Sequence, residues 1–147
     1  QFEAGIRFVE RVASGKSETA QEPRAMWLAS VGDRGAVLNP YLANGLTVFA
    51  NVDGDAIAFD GWTIRSITGF GLSSPVSVTG KDGARVFVYG GAQTTTDCGA
   101  WTRSELNWEQ ICANGFGQIT LDEAGNIQSI TMALGNKLGI VTLRVAK

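Results

Sequence analysis

Short runs of alternating apolar and polar residues, separated by glycine-containing turn pairs, fill the chain from Arg24 onward. Asp-Gly and Asn-Gly pairs fit the positive φ angles of tight hairpin turns, and they recur here at intervals of about ten residues. No alternation of strand and helix patterns is present. The sequence therefore predicts an all-β domain, built as an antiparallel meander, a sandwich or a partly open barrel. The turn pairs are Gly32-Asp33, Asn44-Gly45, Asp53-Gly54, Asp60-Gly61, Asp82-Gly83 and Gly125-Asn126.

Two of the predicted strands carry apolar side chains on both faces. Because side chains alternate along a strand, Phe49 lies on the face opposite Val48, and Arg85 and Phe87 lie together opposite Val86. We expect such strands to lie centrally in the sheet or beneath a helix.

The first segment, FEAGIRFVERVASG, has the period of a short amphipathic helix over residues 1–15. Phe2, Ile6 and Val9 are spaced i, i+4, i+7, and Gly15 can end the helix. A strand is the competing interpretation. We expect the apolar stripe to cover a sheet face near Phe49 or Phe87. A polar segment, 14–23, then leads into the β domain over 24–147, and the whole chain forms a single domain.

Composition excludes several classes of function. With 12 Lys+Arg, 14 Asp+Glu and a net charge of −2, the chain has no basic footprint for nucleic acid. It contains 0 histidines, which removes the commonest general base and the imidazole metal ligand. Its apolar runs are too short to span a bilayer as helices, and it has no signal-peptide pattern. We expect no catalysis, no metal and no cofactor.

The two cysteines, Cys98 and Cys112, lie close together in sequence. An even number of closely spaced cysteines in a small chain predicts a disulfide and an oxidising compartment. A zinc site or a redox pair is the alternative, but two thiols without histidine or a Cys-x-x-Cys motif fit either one poorly.

Three tryptophans, Trp62, Trp101 and Trp108, are candidate contacts for a glycan or for a protein partner. Aromatic residues of β domains lie more often in the core, so we expect Trp101 and Trp108 to be buried around the disulfide. Their odd spacing puts them on opposite faces of a straight strand. A shared platform therefore requires a turn between them.

Two polar loops are candidate ligand sites. The run NVDGD (51–55) is of a kind that can hold calcium, but it lacks the EF-hand spacing and fits a plain hairpin turn. The glycine-rich run GFGLSS (69–74) lacks the Lys/Thr and the helix of a phosphate-binding loop. We interpret both as connections.

Three runs resemble the YjbF/GfcB family of group 4 capsule and exopolysaccharide outer-membrane lipoproteins. They are PRAMWLASVGDRGAVLNPYLANGLTVFANVDGDAIAFDGWTIRSITGFG, CGAWTRSELNWEQIC and ITLDEAGNIQSITMAL. The resemblance covers about residues 24–147. Gln1 stands where family members carry the lipid-bearing cysteine. We therefore expect membrane attachment only through a lipid anchor that these residues do not include.

The resemblance implies a non-catalytic accessory role in capsule or exopolysaccharide secretion by Gram-negative bacteria. It also implies a periplasmic location with anchoring to the outer membrane. The expected partners are polysaccharide-export proteins or the polysaccharide itself. The alternative is a β-barrel carrier of a small apolar ligand, which the strands apolar on both faces would suit. A carboxylate glycosidase is a third class, but no Asp/Glu pair is marked out for it.

Overall fold

The computed structural model describes residues 25–81, 83–135 and 138–146. Within these ranges the regular secondary structure consists of strands, which confirms the all-β prediction; the helix predicted over 1–15 lies outside them. No described segment forms a helix of the length and apolarity needed to cross a membrane. The strands are β1 (Trp27–Val31), β2 (Arg34–Ala43), β3 (Leu46–Ala50), β4 (Ala56–Phe59), β5 (Ile64–Thr68), β6 (Val76–Lys81), β7 (Ala84–Tyr89), β8 (Ala92–Asp97), β9 (Thr102–Ser104), β10 (Asn107–Cys112), β11 (Gly115–Leu121), β12 (Ile127–Ala133) and β13 (Ile140–Val145).

The strands form one antiparallel sheet in the order β8-β7-β6-β5-β4-β3-β2-β1-β13-β12-β11-β10-β9. Strands that follow one another in sequence pair, except β8 and β9, and β1 also pairs with the last strand, Trp27 opposite Val145. Chain order therefore runs round the sheet, with a single break between β8 and β9. The sheet curls into a half-barrel, which corresponds to the partly open barrel among the predicted architectures.

The predicted turn residues that the structure describes lie between paired strands. Asn44 and Gly45 join β2 to β3 with φ of 53° and 79°, the two positive values that such a two-residue turn requires. Gly32 at the β1–β2 turn and Gly54 at the β3–β4 turn also have positive φ. Local turn chemistry thus sets where the meander reverses.

A continuous apolar core lies inside the curve of the sheet. At its centre, the rings of Trp27 and Phe49 meet edge-on at 4.9 Å. Phe49 and Phe87 are buried, whereas Val48 is half-buried and Val88 is exposed. The inner face of β3 and β7 is therefore the phenylalanine face, so both phenylalanines lie inside the half-barrel rather than on an exposed face. Further members of the core are Leu38, Ile57, Phe59, Ile64, Ile67, Val76, Ile119, Ile127, Ile130, Val141 and Leu143.

Candidate functional site

The two ends of the sheet meet where β8 leads into β9. Cys98 and Cys112 form a disulfide there, as predicted. Beside it, Gly99 N donates to Ile111 O at 2.9 Å and Ala113 N donates to Asp97 O at 2.7 Å. We call this junction, residues 96–99 and 110–114, the seam. It ties the C-terminal end of β8 to the β9–β10 hairpin.

Three tryptophans cluster beside the seam. The ring of Trp62 lies 5.1 Å from that of Trp101 and 5.0 Å from that of Trp108. Trp62 is held by the β4–β5 turn, where Asp60 Oδ1 accepts hydrogen bonds from the amides of Trp62 and Thr63. The structure thus brings together the three tryptophans that the sequence nominated.

Trp62 is 8% exposed, but Trp101 and Trp108 are only half-buried. The prediction that these two rings are buried around the disulfide was therefore wrong. The β9–β10 hairpin turns at Glu105, whose φ is 54°, and it brings both rings to the side of Trp62. Since β9 is the last strand of the sheet, no further strand in the described part covers them.

The tryptophans line an open cleft of about 470 Å³. Gly117 of β11 lies under Trp101, where an added Cβ would fall 2.9 Å from Cη2 of the indole. The missing side chain therefore lets the ring rest directly on the sheet. The lining residues are Trp62, Gly83, Cys98, Gly99, Ala100, Trp101, Trp108 and Gln110.

Gln110 provides the side-chain amide of the cleft. Its Nε2 donates to Gly99 O at 2.9 Å, and its Oε1 accepts a hydrogen bond from Nη2 of Arg85. These two hydrogen bonds, one at the nitrogen and one at the oxygen, fix the orientation of the amide. Nε2 carries two hydrogens, and only one of them is used, so the other can be donated to a further acceptor.

Arg85 lies behind Gln110 on the inner face of β7 and is 3% exposed. Burial of the guanidinium lowers its pKa, the positive charge of Arg65 lowers it further, and the Asp60 carboxylate acts in the opposite sense. An arginine still carries its charge at neutral pH. The Asp60 carboxylate itself forms a 2.7 Å ion pair with Arg65 Nε.

A second cation stands at the rim of the cleft. Arg103 of β9 lies opposite Trp108 of β10, and its guanidinium carbon is 5.9 Å from the centre of the indole ring. Its Nε donates to Glu105 O at 2.9 Å. The exposed guanidinium is thereby held beside a half-buried aromatic ring.

These groups suit noncovalent binding of a hydroxyl-rich ligand. Aromatic faces stack against apolar ring surfaces, and amide and guanidinium groups donate hydrogen bonds. Among the described residues, none that lines the cleft carries a carboxylate. In the described part of the chain, no group of three or more His, Cys, Asp or Glu is arranged to hold a metal ion.

The NVDGD run forms a hairpin turn, as we interpreted it. Asn51 Oδ1 accepts hydrogen bonds from the amides of Asp53 and Asp55 at 2.9 and 3.1 Å. Asp55 Oδ1 accepts from Phe70 N at 2.7 Å, and this bond, with one from Asn51, lowers the pKa of Asp55. The carboxylate thus ties the turn to the loop 69–74.

Sequence reasoning missed Arg85, Arg103 and Gln110 as members of the site. A signal existed for two of them: Arg85 shares a strand face with Phe87, and Gln110 shares one with Trp108. Nothing local indicated that these faces would meet, because β7 and β10 belong to opposite ends of the sheet.

No protein-family model and no curated protein sequence matches the chain. Among solved structures, the hypothetical lipoprotein YmcC from Escherichia coli (K12) is similar in fold, with a TM-score of 0.60 and 10% sequence identity. The match covers 99% of this chain and 93% of that chain. At this identity the similarity shows a shared β architecture.

Proposed function

We propose that this protein is a non-catalytic accessory factor in the secretion of capsule or exopolysaccharide, and that it binds polysaccharide in the tryptophan-lined cleft at the seam. The observation that carries the proposal is the cleft itself. The rings of Trp101 and Trp108 are partly exposed and lie against Trp62, beside the fixed amide of Gln110. Stacking rings and oriented hydrogen-bond donors are the groups that recognise sugars.

The proposed place of action is the periplasm of a Gram-negative bacterium, with attachment to the outer membrane through a lipid. Three observations support it. The disulfide fits an oxidising compartment. The sequence runs quoted above resemble the YjbF/GfcB lipoproteins. The fold is similar to that of a hypothetical lipoprotein, YmcC, which is counted in the same family.

The lining of the cleft supports binding without catalysis. Glycoside hydrolysis uses two carboxyl groups flanking the scissile bond, and the lining residues within the described ranges include none. Asp60, which lies close by, is engaged by Arg65 and by the turn amides. We therefore assign the site to recognition of the polymer.

Docking of an export protein on a sheet edge is the second candidate. β8 ends the sheet, and no described strand pairs with the outer side of its first residues, 92–95. An exposed edge can accept a strand from a partner. This mode predicts that binding of an export protein survives loss of the tryptophans.

The alternative of an apolar-ligand carrier requires a wide internal cavity. Bulky side chains such as Trp27, Phe49 and Phe59 occupy the interior of the half-barrel, and each is fully buried. The cleft lies at the seam instead and opens to the surface. The arrangement therefore favours a polymer that passes across the surface.

The test is genetic. We expect deletion of the gene in its host to lower surface or secreted polysaccharide, and the unchanged gene to restore it. A Trp101→Ala/Trp108→Ala gene should fail to restore it at equal protein level. Tyr41→Ala is the matched control, because Tyr41 is an aromatic residue 44% exposed on the outer face of β2. Unchanged polysaccharide output in the deletion strain would contradict the proposal.

A further inference from the structure

We propose that the seam cleft selects an acidic glycan, one whose sugar residues carry carboxylates. This inference rests on the proposed function and adds the chemical class of the polymer. It follows from two arginines beside the cleft, Arg85 and Arg103, in a chain whose net charge is −2.

Two arginines contact residues that line the cleft. Arg85 donates to Gln110, a lining residue, and Arg103 stands over the ring of Trp108, another lining residue. The lining residues that the structure describes carry no carboxylate. The Asp60 carboxylate is paired with Arg65 at 2.7 Å. Among Arg65, Arg85 and Asp60, one positive charge is therefore in excess.

The burial of Arg85 makes its charge effective at the cleft. It is 3% exposed, and no carboxylate of the described residues lies within ion-pair distance of it. The field of a buried charge is screened less by water and by salt than that of an exposed charge. An anionic group entering beside Gln110 would supply the counter-charge, whereas a neutral sugar would not.

The hydrogen-bonding groups point to the same class of ligand. The Oε1 of Gln110 is occupied by Arg85, so this side chain offers the cleft a donor, the remaining Nε2 hydrogen. Arg103 also has donors only. Carboxylate oxygens accept such bonds and form stronger ones than neutral hydroxyl groups do.

The test compares two probes with the same sugar backbone. Polygalacturonate oligomers carry one carboxylate per sugar, and their fully methyl-esterified form carries none. Each is titrated into the full chain by calorimetry at low and high salt. The third titrant is the secreted polysaccharide of the host.

We expect the charged oligomer to bind about tenfold more tightly than its ester, with the difference shrinking at high salt. Arg103→Gln should weaken binding of the charged oligomer about threefold and leave the ester unchanged. Arg144→Gln on the outer face of β13 is the matched control, since it removes the same charge from an exposed site. It should leave both affinities unchanged.

Arg85→Met should abolish the preference for the charged oligomer. Arg85→Lys, which keeps the positive charge, should retain part of that preference. If Arg85→Met fails to fold, Arg103→Gln and the salt dependence still decide. Equal or tighter binding of the ester, or binding of neither oligomer, would overturn the acidic-glycan inference. If the host polysaccharide binds in that case, the proposed function stands; if it also fails to bind, both are wrong.

Discussion

The position of the Trp101 ring depends on residue 117 being glycine, which has no side chain. An added Cβ would lie 2.9 Å from Cη2 and 3.2 Å from Cζ2 of Trp101. Contacts that close force the ring to move, because protein interiors are close-packed. Gly117 is therefore a positioning residue of the cleft.

We expect Gly117→Ala to displace Trp101 and to weaken polysaccharide binding several-fold. The overpacking should cost about 1–2 kcal/mol of stability, which leaves the protein folded. Gly115→Ala is the control, since it lies on the same strand and its Cβ would meet Ala133 instead of Trp101. Affinity and urea unfolding of both variants give the answer. Wild-type affinity in Gly117→Ala would show that the ring position does not matter.

Asp122 links stability to acid pH. Its Oδ1 accepts a 2.8 Å hydrogen bond from Asn126 N in the β11–β12 turn, and this bond is the main cause that lowers the pKa of Asp122. Because the pKa is lower in the folded than in the unfolded chain, the unfolded chain binds more protons at acid pH. Asp122 therefore stabilises the protein above the ordinary carboxyl pKa, and this contribution is lost as pH falls through the folded value.

We expect Asp122→Asn to be less stable than wild type near neutral pH and to lose less stability on acidification. Urea unfolding measured at about pH 6 and at about pH 3 checks this, because the two values bracket the ordinary carboxyl range. Asp55 should behave similarly, since the hydrogen bond from Phe70 N also lowers its pKa. An Asp122→Asn variant with the full acid sensitivity of wild type would show that the turn bond has no role.

The residues of the site were only partly predictable. The cysteine count indicated the disulfide, and tryptophan content nominated Trp62, Trp101 and Trp108. Their degree of burial was not predictable, because it depends on which strand ends the sheet. The same limit applies to Arg85. The sequence showed that Arg85 and Phe87 lie on one face of β7, but both faces of this strand carry apolar residues, so the sequence did not show which face points into the core.

At the scale of elements, the seam joins the β9–β10 hairpin to β8. β9 has three residues and is paired on one side only, so the disulfide and the seam hydrogen bonds hold the hairpin to β8. The cysteines are separated by 14 positions. A cross-link over a loop of that size stabilises by roughly 3 kcal/mol on chain-entropy grounds.

We expect Cys98→Ser/Cys112→Ser to lose roughly that free energy of unfolding and to bind polysaccharide more weakly, because the segment that carries Trp101 loses its covalent link to β10. Urea unfolding and calorimetric titration of the double variant measure both effects. Wild type treated with reductant is the control and should match the variant. If the variant kept wild-type stability and affinity, the seam would be held by its hydrogen bonds alone.

The hairpins of the sheet were predictable from local signals, since Asn44-Gly45 has the turn conformation that its sequence favours. The contact of the Trp62 ring with Trp101 and Trp108 was not predictable. It joins positions about forty residues apart through the curl of the sheet, and strand periodicity carries no information on curl.

At the scale of the molecule, the site lies where the barrel fails to close. The first strand, β1, pairs with the last strand, β13. Strand pairing is interrupted instead between β8 and β9, which form the two edges of the sheet. A closed barrel would use this position for continuous strand pairing. Here the connection after β8 leaves a cleft lined by tryptophans. The fold is similar to that of YmcC, and the proposed binding groups lie at the break in the sheet.

Calorimetric titration of the host's secreted polysaccharide into the protein tests the central claim most directly. Wild type and Tyr41→Ala should show saturable binding of equal affinity. Trp101→Ala/Trp108→Ala should bind at least about tenfold more weakly, since aromatic anchors at the centre of a site contribute about 2 kcal/mol or more. Circular dichroism should show that all three proteins are folded. Absence of saturable binding to wild type, or unchanged affinity in the folded double variant, would contradict the account.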